Sequence, residues 1–184
     1  MTRSRLYLIG FMGCGKSTVG KMLSTALGYS FVDLDLFIEQ RYLKSVSQLF
    51  AEYGEAHFRE VERRALREVS TFEQVVISTG GGSPCFFDNM EFMNREGLTI
   101  YLKATVSTLY ERLLKGRNKR PLIANKSKEE LVRYIEEMLD KREPFYSQSE
   151  LILPINPSVS KQELKTVVVP EYVNILQNYT KNEA

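Results

Sequence analysis

The sequence predicts an α/β fold, a three-layer α/β/α arrangement in which a five-stranded parallel sheet is covered by helices on both faces. Three observations predict it. Five short, nearly continuous apolar runs are separated by longer stretches of helical periodicity, the pattern of strands buried on both sides. The first run leads straight into "GFMGCGKS" at residues 10–17, a glycine-rich turn of the kind that joins a strand to a helix. The composition is that of a soluble globular chain, 43% hydrophobic and 26% charged, and 184 residues suffice for one well-buried domain over 1–184.

Each element follows in order. "RLYLI" (5–9) is the first strand, and Lys16 to Leu27 has helical periodicity with Gly28 as its C-cap. "FVDLD" (31–35) is the second strand. The stretch 36–60 is helical and longer than one crossover needs, which predicts a small inserted subdomain. On the helix that follows, Phe58, Val61, Ala65 and Val69 form one apolar stripe. "VVIST" (75–79) and "LTIYL" (98–102) are the third and fourth strands. "GRNKRPLIANK" (116–126) has no periodicity and reads as a loop between two helices. Ser127 with Glu130 is a capping box for a helix whose inward stripe is Leu131, Ile135 and Met138, with Arg142 next at that spacing. "ELILPI" (150–155) is the fifth strand, and Ser160 with Glu163 opens a last helix that Pro170 should kink or split.

Several function classes drop out. A net charge of +2 does not argue for a nucleic-acid partner. No run approaches the length of a membrane span. "MTRSRLYLIGFMG" imitates a signal peptide but lacks a small-residue cleavage site, and Lys16 arrives too soon, so a buried first strand is the better reading. The two cysteines, Cys14 and Cys85, supply no disulfide framework and fit a reducing compartment, so a cytoplasmic location is expected. The sequons at Asn125 and Asn178 then carry no meaning.

Gly10 to Ser17 match G-x-x-x-x-G-K-S between a strand and a helix. Gly10, Gly13 and Gly15 let successive N–H groups turn inward on phosphate oxygens, and the next helix aims its positive end at the same point. Lys16 supplies a mobile charge for the β and γ oxygens, and Ser17, followed by Thr18, supplies a hydroxyl for Mg²⁺. Cys14 in this turn is read as a small filler rather than a reactive thiol.

A phosphate cradle alone does not separate switches, motors and kinases. The guanine-reading N-K-x-D signature is missing, since Asn118-Lys119 is followed by Arg120-Pro121. Asp33 and Asp35 fall at the carboxyl end of the second strand, where open parallel sheets bind ligands. One can hold a metal's water shell while the other takes a proton from an attacking hydroxyl. Aspartates there also serve as turn formers, and Asp35 suits the N-cap of a helix starting at Leu36, so the pair alone leaves both roles open. Arg59 lies beside the apolar stripe near a helix start, where the dipole disfavours a cation, which suggests an anion nearby, although Glu55, Glu60 and Glu62 offer surface pairing instead. "STGGGSP" puts Gly80, Gly81 and Gly82 directly after the third strand, where a ligand can touch backbone. Arg142 ends an inward face at the C-terminus of its helix, where the dipole welcomes it and a carboxylate would pair strongly. His57, the one histidine, is read as a packing or surface residue.

Taken together and in order, the cradle at Gly10–Ser17, Asp33/Asp35, Phe58-Arg59-Glu62, Gly80–Gly82, Arg120-Pro121-Leu122 and Arg142 with Tyr146 resemble the shikimate kinase family over nearly the whole chain. The resemblance implies strand order 2-3-1-4-5, in the P-loop fold shared with nucleoside monophosphate kinases. It implies transfer of the γ-phosphoryl group of ATP, with Mg²⁺, to the 3-hydroxyl of shikimate on the route to chorismate. Asp35 would bind the attacking hydroxyl and act as base, alongside Lys16 and Arg120 as catalytic residues. Gly13, Cys14, Gly15, Lys16, Ser17 and Thr18 would hold the nucleotide, Ser17 and, through water, Asp33 the metal. Arg59 and Arg142 would grip the shikimate carboxylate, with Gly80–Gly82 lining the site. The stretch 36–60 becomes the substrate-binding subdomain and 116–126 the lid. On that lid Arg120 reaches the phosphates and Arg117 neighbours adenine, with Arg112 as the alternative. A monomer with no nucleic-acid or membrane partner is implied. A sibling kinase for gluconate or a nucleoside monophosphate is the nearest rival reading, and a non-catalytic nucleotide-dependent binding protein is the other.

Overall fold

The computed structural model describes residues 4–115, 123–124, 126–156 and 159–182. Five parallel strands form one sheet: β1 (Arg5–Ile9), β2 (Ser30–Asp33), β3 (Val75–Ser78), β4 (Leu98–Lys103) and β5 (Leu151–Pro154), in the order β2-β3-β1-β4-β5. The five strands and their order agree with expectation. Tyr7 of β1 registers with Ile77 on one side and Thr99 on the other. Because β1 lies between β3 and β4, its carboxyl end opens where the strand order reverses, the usual crevice for a ligand in such sheets.

Helices cover both faces, as the apolar strands require. Along β1, Leu6 and Leu8 face a core completed by Val19 and Leu23 of α1 (Lys16–Leu27), Leu109 and Leu113 of α5 (Val106–Lys115), Leu131 and Ile135 of α6 (Lys128–Tyr146), and Leu176 of α8 (Val169–Asn182). Tyr7 and Ile9 face the opposite core. It is built with Leu34 and Ile38 of α2 (Leu34–Tyr42), Phe58, Leu66 and Val69 of α3 (Val46–Val69), and Met93 of α4 (Asn89–Glu96). The alternation is the period-two geometry of a strand with two buried faces.

Three local readings are corrected. The second strand ends at Asp33, and α2 begins at Leu34, two residues before the expected start. Asp33, not Asp35, is the N-cap: its carboxylate accepts from the Leu36 N–H at 3.4 Å, so the chain turns helical early and carries Asp35 into the first turn. Arg142 does not end its helix. The last turn of α6 runs on through Pro144 to Tyr146 and contains no basic residue, so the dipole gives Arg142 little. The break expected at Pro170 falls upstream. A short α7 (Lys161–Glu163) runs into a π-helical turn over Leu164–Val168 and on into α8 from Val169; the Val169 N–H reaches back to the Leu164 carbonyl, so the turn before Pro170 is already widened.

Within 36–60 the chain forms the rest of α2 and the first part of α3. Gly54 divides α3: its φ of 79° and ψ of 170° are closed to side-chain-bearing residues, so the helix breaks and restarts beside Glu55. Arg59 therefore does lie near a helix start, as the charge argument supposed. The capping boxes at Ser127/Glu130 and Ser160/Glu163 both form.

Candidate active site

A cleft of about 1230 Å³ opens over the carboxyl edge of the sheet. Met12 to Val19, Asp33, Asp35, Ser78, Thr79 and Gly81 line one part of it. Gly10, Gly13 and Gly15 all have positive φ, as the cradle requires. The N–H groups of Gly15, Lys16 and Ser17 have no acceptor among the described residues, the arrangement by which a helix N-terminus can bind an anion. Lys16 is 8% exposed and donates to the carbonyls of Gly10 at 2.7 Å and Phe11 at 3.1 Å. These two bonds hold the ammonium at the cradle mouth. Cys14 is buried with its sulfur against Gly10, the packing role expected of it. Thr18 is exposed on the cleft wall.

Ser17 donates to Asp33 at 2.6 Å. The hydroxyl in the first turn of α1 and the carboxylate that caps α2, with Asp35 on the same cleft wall, form an oxygen-only donor set. That set suits a hard divalent cation, which takes few protein ligands and keeps its water.

Asp35 carries the clearest electrostatic signature. Burial pushes its carboxyl up to about 7, with Glu62 and then Asp33 adding to the effect and Lys16 opposing it. A carboxyl poised near neutrality beside a lysine-bearing phosphate cradle can accept a proton from a hydroxyl.

The glycine turn is where the two arginines meet. A β-carbon on Gly82 would stand 2.7 Å from an Arg59 Nη, and one on Gly81 would stand 3.3 Å from an Arg142 Nη. Neither glycine has positive φ, so glycine is required here for space, not for backbone conformation. Both guanidiniums also act on the Cys85 thiol, pulling its proton affinity down while burial pushes it up to about 11. Arg59 is held from behind. Its Nη1 donates to Glu62 at 2.8 Å, its Nε and Nη2 to Glu55 at 3.2 and 2.9 Å, and its plane lies 4.1 Å from the Phe86 ring centre. Glu62, 1% exposed, also accepts from Ser83. Arg142 lies 5.4 Å from the Phe11 ring centre and pairs with no carboxylate among the described residues. Both guanidiniums lie against the glycine turn, whose Gly81 lines the cleft.

Arg117, Arg120 and most of the expected lid lie outside the described residues. Arg112 is inside them: it lines the cleft and donates to the Cys14 carbonyl at 2.8 Å, an anchoring role that its place in the last turn of α5 did not announce. Asn156, Leu164, Val168, Glu171, Tyr172 and Ile175 line the far part of the cleft; the sequence reading of the last helix assigned none of its residues to a site. His57 is exposed, its ring 5.1 Å from that of Tyr53 and tilted to it.

Comparisons with known proteins identify the family. A family model described as shikimate kinase matches residues 12–172. A shikimate kinase of Parabacteroides distasonis is 50% identical over 163 residues, which is 89% of this chain and 94% of that protein. The crystal structure of shikimate kinase from Bacteroides thetaiotaomicron superposes with a TM-score of 0.90 at 44% identity, covering 94% of this chain and 98% of that one. A shikimate kinase from Acinetobacter baumannii, solved in complex with shikimate, superposes with a TM-score of 0.80 at 30% identity over 94% of each chain. With the family model matched from the phosphate cradle to the last helix, and half of 163 aligned residues identical in a relative, this chain belongs to the shikimate kinase family.

Proposed function

We infer that this chain is a kinase that transfers the γ-phosphoryl group of ATP to the 3-hydroxyl of shikimate, giving shikimate 3-phosphate and ADP. The observation that carries the reading is one cleft holding Lys16, Ser17, Asp33 and Asp35 with Gly81 on its wall. Asp35 accepts the proton as the hydroxyl oxygen bonds to phosphorus and the bond to the ADP oxygen breaks. Arg59 and Arg142 hold the substrate carboxylate across the glycine turn, with Gly80–Gly82 presenting backbone N–H groups. The preformed Arg59–Glu62 pair keeps that guanidinium oriented before substrate arrives, which lowers the entropy lost on binding. Lys16 leaves the Gly10 and Phe11 carbonyls for the β and γ oxygens. Gly13, Cys14, Gly15 and Thr18 complete the nucleotide cradle; Arg120 is assigned to the phosphates, and Arg117, with Arg112 as the alternative, to adenine.

Ser17 and, through water, Asp33 would hold Mg²⁺, which neutralises charge building up on the phosphates when bound. The residues 36–60 act as the substrate-binding subdomain of a single-domain kinase. The chain works as a monomer in the cytoplasm. No helix among the described residues is long and apolar enough to cross a membrane.

The test is ³¹P detection of shikimate 3-phosphate from purified protein with Mg-ATP, alongside ADP release across candidate acceptors. Turnover of gluconate or a nucleoside monophosphate in place of shikimate overturns the reading. Light scattering after gel filtration tests the monomer.

A further inference from the structure

We propose that the Tyr146 hydroxyl is a positioning group for the substrate carboxylate: it ties the helical turn that carries Arg142 to the carbonyl of Gly81, so that guanidinium and glycine backbone meet the same anion. The inference rests on the reading of Arg142 as a carboxylate ligand.

Tyr146 is fully buried, and its ring packs 5.0 Å from that of Tyr101. A phenylalanine would supply the same packing. The hydroxyl does something more specific: it crosses 65 residues of sequence to donate to the Gly81 carbonyl at 2.5 Å. Gly81 is also the residue against which the Arg142 guanidinium lies, and Arg142 sits one turn before Tyr146 on the same helix face. One hydrogen bond therefore sets the register of the arginine's own turn against its own glycine. The peptide joining Gly81 to Gly82 is trans, so holding the carbonyl toward Tyr146 turns the Gly82 N–H the opposite way. None of the N–H groups of Gly80, Gly81 and Gly82 donates a hydrogen bond among the described residues.

The same turn is fastened from its other side. Glu143 accepts from Tyr101 at 2.8 Å and from Lys103 at 2.5 Å, both on β4. Pro144 lacks the N–H that would have bonded the Asp140 carbonyl, so the helix ladder is thinnest where Arg142 projects. Side-chain ties hold the turn where the backbone ladder lapses.

A double-mutant cycle tests the inference with shikimate and Mg-ATP varied in turn. Tyr146→Phe is expected to raise KM for shikimate about tenfold while kcat and KM for ATP stay within threefold. A purely structural hydroxyl would move thermal stability and both KM values together. Arg142→Ala raises KM for shikimate by itself, and in that background Tyr146→Phe adds less than twofold. Glu143→Gln, which loosens the other tie, raises KM for shikimate two- to fivefold. An unchanged KM for shikimate in Tyr146→Phe, or an effect that persists undiminished without Arg142, overturns the inference. An unchanged KM in Arg142→Ala instead overturns the carboxylate reading beneath it.

Discussion

Asp35 and Glu62 present carboxylate oxygens to the same face of Gly80, 3.0 and 2.7 Å from where a β-carbon would stand. This crowding, added to burial, lifts Asp35 to about 7 and makes it both a serviceable base and a liability to the fold.

For catalysis, kcat/KM for shikimate should climb with pH along an acidic limb near 7 as Asp35 loses its proton. Glu62→Gln removes a repelling charge and should move that limb to lower pH, whatever it does to the plateau. A limb that stays in place would take Glu62 out of the control of Asp35.

For stability, the sign runs the other way. Below the ordinary value of 3.8 the carboxyl is protonated in both states and contributes nothing. Between 3.8 and about 7 the unfolded chain releases a proton that the folded chain keeps, so stability falls as pH rises, and above that range the full cost remains. Asp35→Asn should therefore abolish turnover yet gain on the order of 2 kcal/mol at pH 8, allowing for water in the cleft. Urea melts should show that gain shrinking toward pH 4.

The two arginines should differ. Arg59→Ala leaves Glu62 buried without its cation, a change that costs roughly 3–5 kcal/mol of stability besides shikimate affinity. Arg142→Ala breaks no carboxylate pair among the described residues, so affinity for shikimate should fall by roughly 2–4 kcal/mol with little change in melting. Calorimetric titration and thermal melts of both variants check the split. A loss of nucleotide affinity in either would refute the carboxylate assignment.

Two glycine substitutions separate space from backbone. Gly80→Ala meets Glu62, Asp35 and Ser83 within 3.0 Å, and should cost about 1–3 kcal/mol and most of the activity. Gly54→Ala meets no atom within 4 Å but demands a conformation closed to alanine. It should cost about 1–3 kcal/mol through the break in α3, read out by denaturant melts.

Metal dependence follows from the Ser17–Asp33 contact at 2.6 Å. Ser17→Ala should raise the Mg²⁺ concentration for half-maximal turnover at least tenfold, and EDTA should abolish turnover without altering the far-ultraviolet circular dichroism. Full activity in EDTA would remove the metal from the reaction.

Much of this site was legible because its signals are local. The cradle announces itself within eight residues, since glycine, lysine and serine each act through their own backbone or side chain. Phe58, Val61, Ala65 and Val69 mark a buried face by spacing alone, and all four are buried. Asp33 and Asp35 misled in detail because a carboxylate after a strand satisfies both the cap and the site. Which of them caps depends on a helix start that shifts by two residues for a single hydrogen bond. Arg142 pointed inward as its stripe required, but the dipole argument for it failed because Pro144, two residues on, does not stop α6.

By itself the chain's order of residues determined the parallel sheet, the capping boxes at Ser127/Glu130 and Ser160/Glu163 and the phosphate-binding turn, since periodicity, capping and glycine conformation act between near neighbours. Only the tertiary structure decided that Glu62 would crowd Asp35, that Arg59 and Arg142 would meet across one glycine turn, and that Tyr146 would grip Gly81. Those relations join residues tens of positions apart, and a charge's proton affinity or a guanidinium's aim depends on distances that exist only once the layers have packed.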